Sequence, residues 1–539
     1  MNSAPERRWD HETAFVMALA MCASMVSFLL YLRRGDILLY GDAVAHINIA
    51  RRVFDSRTPG LLQLGTVWLP LPHLLMMPLL VSRWAWQTGV GGSVPSMIAY
   101  ILGVAGIFRL VRGALAAVPG GRSPGLAAWF ASAIYALNPN LLYLQATAMT
   151  ESLYLALFIW TVVFFAEFLR MKGQDGREGQ TRSALWKCGA CLAGASLTRY
   201  DGWFVAVILA TVVIWIAATG ALARTAALRF VALAAAVPLL WFAYNGIVYR
   251  NILEFANGPY SARAIEQKAV VRGFSHPGTN NPPVAAAYFL GAGEFSVAEG
   301  WWQPAWLLLA AVGSLYVLLK NRCRSVLLLL WTPLPFYILS VAYGGVPIYT
   351  PERWPYSLYN IRYGVQLLPA LTVFLALSVY FAASSSTTVG AKRGIVLLGV
   401  SLVAVSYASV WQAGPVCYRE AWVNSRTRMQ LEKQLAEELR WLPANSSLLM
   451  YLGEHVGALQ DAGIPLRRTI HEGNHRVWKQ PSDPEGMWER ALADPSRYAD
   501  YVIGFEGDPV WQAVHQRSLP QVTAIVVPGQ RTATILRAR

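Results

Sequence analysis

The sequence carries little charge for its length, since only 14% of its 539 residues are Asp, Glu, Lys or Arg. Soluble domains carry roughly a quarter, so the composition argues against an ordinary soluble enzyme. Hydrophobic residues make up 55% of the chain. They fall in runs of roughly 17–22 residues, long enough to cross a bilayer as helices. The sequence therefore predicts an all-α polytopic membrane bundle.

Cysteine is also scarce, and several common catalytic motifs are missing. The five cysteines mostly fall in or beside apolar runs, so no disulfide framework is expected. The sequence has no P-loop, no G-x-S-x-G or H-E-x-x-H motif, and no Cys/His cluster with zinc spacing. ATP-driven and zinc-protease functions therefore lose support.

The apolar runs predict about eleven membrane spans. These lie near 14–32, 93–112, 124–141, 152–169, 184–198, 202–219, 229–248, 304–320, 325–342, 364–382 and 394–412. A further apolar stretch from Trp68 to Trp86 is broken by Pro70, Pro72 and Pro78. It is interpreted as a re-entrant or interfacial segment rather than a span.

The basic residues orient the predicted bundle. The net charge of +15 would suggest a nucleic-acid partner in a soluble protein, but here Lys and Arg fall between spans, so no nucleic acid is expected. With Arg7 and Arg8 in the cytoplasm, the other basic loops fall mostly on the same side. The first outer loop is the exception. It contains Arg33, Arg34, Arg51, Arg52 and Arg57, which makes an anionic ligand a candidate.

The last part of the chain differs in composition from the rest. Residues 1–412 form the predicted membrane domain, with outer loops at 33–92, 249–303 and 343–363. Residues 413–539 begin with a charged helical pattern from Gln430 to Trp441. Short apolar runs follow at Ser447–Leu452, Tyr501–Phe505 and Val522–Val527. This pattern predicts a small α/β domain outside the membrane, on the same outer side because the span count is odd.

Two acidic residues lie at predicted outer ends of spans. Asp42 follows the first span and precedes an amphipathic helical pattern, with Ala43, Ile47 and Ala50 on one face. Asp42 is either the N-cap of that helix or a catalytic carboxylate, two roles that can coexist. Glu151 is either a first-turn residue favoured by the helix dipole or an active-site carboxylate.

Other polar residues fall on the same predicted side. Arg362 precedes a late span, where a guanidinium can bind phosphate bidentately, although a snorkelling role is the alternative. Arg353 is a weaker candidate for the same task. Arg199 and Asp201 form either a structural pair in a tight turn or a support for the site. His73 either faces the site or is structural.

In the order of these motifs, the chain resembles the GT-C superfamily of membrane glycosyltransferases, in particular protein O-mannosyltransferases and lipid A aminoarabinose transferases. The likeness covers residues 10–410. It rests on a list of motifs: Gly41-Asp42, Trp68-Leu69-Pro70-Leu71-Pro72, Thr150-Glu151, Thr198-Arg199-Tyr200-Asp201-Gly202, and Arg362-Tyr363 with Pro369. It implies an outward-facing site and a sugar donor carried on polyprenyl phosphate, with inversion at the anomeric carbon.

The resemblance also implies roles for individual residues. Asp42 would engage the acceptor, Glu151 would be a second carboxylate, and Arg362 with Tyr363 would bind the donor phosphate. We expect Arg51 or Arg52 to assist there, because a lipid-phosphate leaving group needs charge stabilisation. The position Gly41-Asp42 lacks the second adjacent acid of many relatives, so use of a divalent metal stays open.

The expected function is transfer of a hexosyl or pentosyl group to a hydroxyl of a protein, lipid or glycan. The expected location is the cell membrane, inner or plasma, with the site on the periplasmic or extracellular side. Two other functions stay open. A transporter or flippase predicts ionisable residues near the midplane and inverted repeats. A non-catalytic sensor leaves the clustered polar residues without a role.

Overall fold

A computed structural model describes residues 10–116, 124–271, 273–320, 322–474 and 484–539. Arg7 and Arg8, which oriented the predicted bundle, lie outside these ranges. The helices up to the end of the membrane part are α1 His11–Arg34, α2 Gly41–Arg52, α3 Leu71–Met76, α4 Arg83–Gln87, α5 Val90–Ala116, α6 Pro124–Ala136, α7 Pro139–Gln145, α8 Glu151–Met171, α9 Glu178–Ser196, α10 Asp201–Ala218, α11 Arg224–Tyr249, α12 Glu254–Asn257, α13 Ala262–Val271, α14 Pro282–Phe295, α15 Gln303–Lys320, α16 Pro333–Tyr343, α17 Leu368–Ser385 and α18 Val389–Ala413. Two longer 3₁₀ segments, Arg322–Trp331 and Ile361–Leu367, precede α16 and α17.

Within the described ranges, nine segments are helical, long and apolar enough to cross a membrane. They are His11–Arg34, Val90–Ala116, Glu151–Met171, Asp201–Ala218, Arg224–Tyr249, Gly300–Leu319, Ser325–Tyr343, Ile361–Ser385 and Val389–Arg440. The two other predicted spans are helices as well. However, α6 has only 13 residues, and the first half of α9 contains Glu178, Arg182 and Lys187. The predicted helical membrane fold is therefore confirmed.

Helix α2 is more enclosed than its amphipathic pattern predicts. Ala43, Ile47 and Ala50 are fully buried, as the apolar stripe requires, but Asn48 on another face is buried too. Its amide donates to Gln460 of the C-terminal domain over 2.6 Å, and its carbonyl oxygen accepts from Trp86 at 2.9 Å. Helix α2 therefore lies between the bundle and the C-terminal domain, not on an open interface.

The segment from Trp68 to Trp86 is not a single helix. It consists of α3, a 3₁₀ turn over Leu79–Val81, and α4. Prolines lack the backbone N–H that a continuing helix needs, and Pro70, Pro72 and Pro78 stand at these breaks. The prediction that this stretch is not a span is confirmed, whereas its re-entrant or interfacial position stays a prediction.

The C-terminal part begins with a long helix and forms a small sheet. Its helices are α19 Val416–Arg440, α20 Leu452–His455, α21 Gly457–Ala462, α22 Met487–Ala493, α23 Pro495–Tyr498 and α24 Pro509–Val514. Its strands are β1 Leu448–Met450, β2 Thr469–Ile470, β3 Tyr501–Phe505, β4 Gln521–Ile525 and β5 Ala533–Arg537. They lie in the order β2-β1-β3-β5-β4.

Strand β1 pairs in parallel with β2 and β3, whereas β5 is antiparallel to β3 and β4. The three predicted apolar runs contain or overlap β1, β3 and β4. Strand β2, which has two residues, and strand β5 were not predicted from the sequence. Two residues separate the end of α18 from the start of α19, so α19 carries the chain directly from the membrane part into the α/β domain.

Gly364→Ala is expected to destabilise the fold strongly. A Cβ there would lie 2.1 Å from the Ala292 carbonyl oxygen and 2.5 Å from the Gly293 nitrogen, both rigid backbone atoms. Overpacking of this kind costs about 1–3 kcal/mol or more. Thermal unfolding in detergent is expected to show a clearly lower midpoint. The matched control, Gly390→Ala, meets nothing within 4 Å, and an equal effect there would contradict the packing argument.

Candidate functional site

Arg362 lies at the centre of a cluster of carboxylates. Its Nη2 donates to Asp42 Oδ2 at 2.5 Å and its Nη1 to Glu420 Oε1 at 3.3 Å. Its Nε lies 3.4 Å from Glu151 Oε1. The backbone N–H of Arg362 donates to the other oxygen of Glu420 at 3.3 Å. Three carboxylates from three separate parts of the chain therefore hold one guanidinium.

A second guanidinium extends the cluster. Arg199 Nη1 donates to Glu151 Oε1 at 3.3 Å, and Arg199 Nε lies 3.4 Å from Asp201 Oδ1. The hydroxyl of Tyr337 accepts from Arg199 at 2.7 Å. The ring of Tyr363 lies within 5 Å of both guanidinium carbons. Glu151 thus links the two arginines, and the Arg199–Asp201 pair supports the carboxylate that Arg362 contacts.

The helix starts explain why these side chains converge. Glu151 is the first residue of α8, Asp201 is the first of α10, and Asp42 lies in the first turn of α2. Carboxylates are favoured in first turns by the helix dipole. However, no side-chain capping bond is formed at Tyr40 or Thr150, the N-caps of α2 and α8. The alternative that Asp42 is the N-cap of α2 is therefore wrong, because Tyr40 holds that position.

Asp42 is the accessible member of the cluster. Its side chain is 40% exposed, whereas those of Glu151, Asp201 and Glu420 are at most 2% exposed. The cluster contains two guanidinium groups and four carboxylates, so its net charge is −2 when all six groups are ionised. The buried acids therefore position the arginines, and Asp42 presents a carboxylate to a ligand.

Asp42 and Arg362 face a cavity of about 440 Å³. From the membrane part, its wall includes Arg52, Trp68 and Tyr363, and the C-terminal domain adds Glu472. The hydroxyl of Tyr260, from the 249–303 loop, lies 3.0 Å from that of Tyr451 in the C-terminal domain. Both domains and the long loop therefore enclose one cavity.

The two neighbouring arginines of α2 differ in position. Arg52 lines the cavity, where its Nε donates to the Gln63 carbonyl at 2.8 Å. Arg51 is buried, pairs with Asp55 at 2.9 Å and donates to the carbonyls of Leu80 and Val81. Arg52 is therefore placed to meet a ligand, whereas Arg51 holds neighbouring parts of the backbone.

His73 lies behind the cavity wall. Its Nε2 is 2.9 Å from His46 Nδ1, and the His46 ring lies 4.7 Å from that of Trp68. Burial, with help from Arg362 and Arg199, lowers the pKa of His46 to about 3, and burial lowers the pKa of His73 well below its usual value. Both imidazoles are neutral near pH 7; His46 packs against Trp68, and His73 contacts His46.

Arg353 does not line the cavity. Its guanidinium lies 5.9 Å from the ring of Tyr288, which packs on His276. Arg353 and Arg362 thus lie in the same loop, 343–363, but only Arg362 of the two lines the cavity.

Solved structures share this architecture. ArnT from Cupriavidus metallidurans, a lipid A aminoarabinose transferase, superposes with a TM-score of 0.57 in its apo state and 0.56 bound to undecaprenyl phosphate. Each match covers 98% of both chains, at 13% and 12% identity. The chain has the fold of ArnT. The archaeal oligosaccharyltransferase AglB from Archaeoglobus fulgidus, solved with an inhibitory peptide and a dolichol-phosphate, gives a TM-score of 0.50. That match covers 97% of this chain and 74% of AglB at 12% identity.

Sequence comparison adds nothing to this likeness, because no protein-family model and no curated protein matches the chain. The fold expected from the motif order, that of a lipid A aminoarabinose transferase, is nevertheless the fold that the structure shows.

Four residues of this site were not anticipated from the sequence. Glu420 holds Arg362, Tyr40 donates to Glu420 at 2.8 Å, His46 pairs with His73, and Glu472 lines the cavity. Glu420 had one signal, since it is an acidic residue just beyond the last span. Glu472 lies in the loop after β2, and nothing in the sequence around it indicated that it lines a cavity.

A divalent metal does not fit this carboxylate cluster. Among the described residues, no group of three or more His, Cys, Asp or Glu side chains is arranged to hold a metal ion. The reason is visible around Arg362, because its guanidinium occupies the position between Asp42, Glu151 and Glu420 that a cation would take.

Proposed function

We propose that the protein transfers a sugar from a polyprenyl-phosphate donor to an acceptor hydroxyl. The observation that carries the proposal is the exposed Asp42 carboxylate beside Arg362, in a cavity at one end of an apolar bundle. The shared fold supports it, because ArnT was solved bound to undecaprenyl phosphate and AglB with a dolichol-phosphate.

In the proposed reaction, Asp42 accepts the proton of the acceptor hydroxyl. The hydroxyl oxygen then forms a bond to the anomeric carbon, and the bond from that carbon to the phosphate oxygen breaks. The phosphate leaves with the electron pair of the broken bond. Attack from the face opposite the leaving group inverts the anomeric carbon. The half-exposed position of Asp42 supports this role, since an acceptor can reach its carboxylate.

Arg362 and Arg52 are the proposed ligands of the donor phosphate. Both line the cavity, and guanidinium groups bind phosphate through charge-assisted, bidentate hydrogen bonds. A phosphate at Arg362 would compete with Asp42 for Nη2, which releases the carboxylate for the acceptor. Glu151 and Glu420 would keep the guanidinium oriented throughout, and Tyr363 would pack against it.

The apolar helices support a reaction at a membrane. We propose that the cavity opens on the periplasmic or extracellular side of the cell membrane, with the N-terminus in the cytoplasm. The prenyl chain of the donor would lie along the apolar helices while its phosphate reaches Arg362. The transferred sugar is a hexose or a pentose, and the acceptor is a protein, lipid or glycan hydroxyl.

The direct test is transfer of radiolabelled sugar from synthetic undecaprenyl-phosphate sugars by the purified protein in lipid. Several sugars are offered with candidate acceptors, and release of undecaprenyl phosphate is followed in parallel. Donor turnover that depends on the protein would support the proposal. Lack of turnover, together with flux of a substrate across sealed vesicles, would favour a transporter instead.

Glu472→Gln is expected to raise the KM for the sugar substrates by about tenfold with a smaller change in kcat. Glu472 brings a carboxylate into the cavity from the C-terminal domain. One of its oxygens accepts from the Leu452 N–H at 3.0 Å, which leaves the other for sugar hydroxyls. Hydrogen bonds to a charged group contribute about 1.5–3 kcal/mol, and a neutral amide recovers only part of that.

Glu454→Gln is the matched control for Glu472. Glu454 lies in the same domain, does not line the cavity, is about half exposed, and approaches Arg531 only to 3.8 Å. Equal kinetics of the two variants would show that Glu472 does not contact the sugar.

A further inference from the structure

A second, larger cavity of about 850 Å³ lies between the membrane part and the C-terminal domain. It shares no lining residue with the cavity at Asp42. Its walls come from α4, the end of α19, and the segment from Asp461 to Arg468. The proposed transfer reaction gives it no role.

Arginines dominate the charge of this second cavity. Arg83, Arg440, Arg467 and Arg468 line it with a single carboxylate, Asp461, which leaves a net charge of +3. Asp461 pairs with Arg440, and Asp55 from the membrane part pairs with Arg467. Among the described residues, Arg83 and Arg468 have no carboxylate partner, and because like charges repel, an anion beside them would be stabilising. The cavity therefore has the electrostatics of an anion-binding site.

Three of these arginines are held in place by the protein. Arg467 Nη1 lies 3.2 Å from Asp55, and Arg440 Nη2 lies 3.0 Å from Asp461. Arg468 donates to the carbonyls of Ser446 at 3.0 Å and Pro443 at 2.9 Å. Each guanidinium has five N–H donors, so these contacts fix their positions and leave donors for a ligand.

Arg83, like Arg468, has no carboxylate partner in the part of the chain that the structure describes. It reaches from α4 across to the C-terminal domain, where its guanidinium packs over Gly463. A Cβ at Gly463 would lie 2.6 Å from Arg83 Nη2, and the φ of +69° at this glycine is one that other residues rarely adopt. The glycine thus permits an exposed arginine of the membrane part to complete the cavity.

The position of α4 relates this cavity to the bilayer surface. Gln87, the last residue of α4, lies three residues before Val90, where the membrane-spanning α5 begins. Arg83 thus lies seven residues before that start. Val81 and Trp84 beside it are more than 60% exposed, and tryptophan is enriched at membrane interfaces. The cavity is therefore close to the level of lipid headgroups.

We propose that this cavity binds the phosphate of an anionic lipid headgroup. The arginines would bind the phosphate, and the acyl chains would lie along the exposed apolar side chains of α4 and the turn before it. Attraction of anionic headgroups to basic residues near a membrane surface supports this choice of ligand. The volume is within the range of about 300–1,000 Å³ that small-ligand sites occupy. The bound lipid would join α4 to the C-terminal domain.

The test uses the full chain in phosphatidylcholine nanodiscs containing increasing phosphatidylglycerol, with retained lipid counted by native mass spectrometry. Wild type is expected to retain phosphatidylglycerol in preference to phosphatidylcholine. The double variant R83Q/R440Q is expected to lower that retention at least about tenfold, since it removes two charge-assisted contacts. Raised ionic strength is expected to weaken retention in wild type.

The matched control is R490Q/R497Q, which removes the same charge from the C-terminal domain at positions that do not line the cavity. Its retention is expected to equal that of wild type, and thermal unfolding checks that all three proteins are folded. Equal retention by R83Q/R440Q and the control pair would overturn the proposal. Binding of inorganic phosphate without any preference among lipids would also overturn it, because the ligand would then be a soluble anion. Neither outcome depends on glycosyl transfer.

Discussion

Asp42→Asn is expected to lower sugar transfer by about 10²–10⁴-fold, the contribution typical of a positioned general base. An amide cannot accept the acceptor proton, so the chemical step fails. Binding of undecaprenyl phosphate is expected to be at least as tight as in wild type, because Arg362 loses the carboxylate that lies 2.5 Å from its Nη2. The measurements are donor turnover and native mass spectrometry of the bound lipid.

Asp36→Asn is the matched control for Asp42. Asp36 precedes α2, accepts a bond from the Tyr418 hydroxyl at 3.1 Å, and does not line the cavity. It is expected to retain transfer. Retained transfer in Asp42→Asn would remove Asp42 from the mechanism, and loss of lipid binding in that variant would indicate misfolding or a donor role instead.

Arg362→Lys is expected to weaken binding of undecaprenyl phosphate by about 10–100-fold, since hydrogen bonds to charged groups contribute about 1.5–3 kcal/mol. Lysine keeps the positive charge that Glu151 and Glu420 require in their buried positions. It lacks the planar pair of donors that binds phosphate bidentately. Lipid titration into nanodiscs measures the affinity, and donor KM is expected to rise in parallel.

Arg353→Lys distinguishes a specific donor ligand from general charge in the same loop. Arg353 packs near Tyr288 and does not line the cavity, so its replacement is expected to leave lipid affinity unchanged. If the two lysine variants bind equally well, Arg362 is not the phosphate ligand. If Arg353→Lys alone weakens binding, the donor enters on the side of Tyr288.

Much of the fold follows from local sequence patterns. Runs such as Glu151–Met171 are helical and apolar over their whole length, and a helix satisfies its own backbone hydrogen bonds in lipid. Proline placement likewise predicted the broken segment that contains α3 and α4. Helix α6 is too short, and the start of α9 is too polar, for a segment of the length and hydropathy that crosses a membrane. In the described ranges, nine of the eleven predicted spans are therefore candidates, and the other two are helices that lack the required length or hydropathy.

The structure brings the predicted polar residues together more closely than the sequence indicated. Asp42, Glu151, Arg199, Asp201 and Arg362 form one connected cluster. Their common placement at span ends was visible in the chain, because helix starts and loop positions are local features. Three other residues lie at the same predicted side of the bundle, but in the folded structure they do not line the cavity: Arg51, Arg353 and His73.

The sequence by itself determined an apolar helical bundle, the irregular segment after α2, a C-terminal α/β domain and a set of polar residues at span ends. These features depend on hydrophobic runs, proline positions and strand-length apolar segments, all of which are local. Only the tertiary structure decided which acids surround Arg362, because Asp42 lies 320 positions away from it and Glu420 lies 58. Only the tertiary structure also placed Glu472 in the cavity and Arg83 over Gly463. Such contacts depend on how separate helices and domains pack, and no local pattern encodes them.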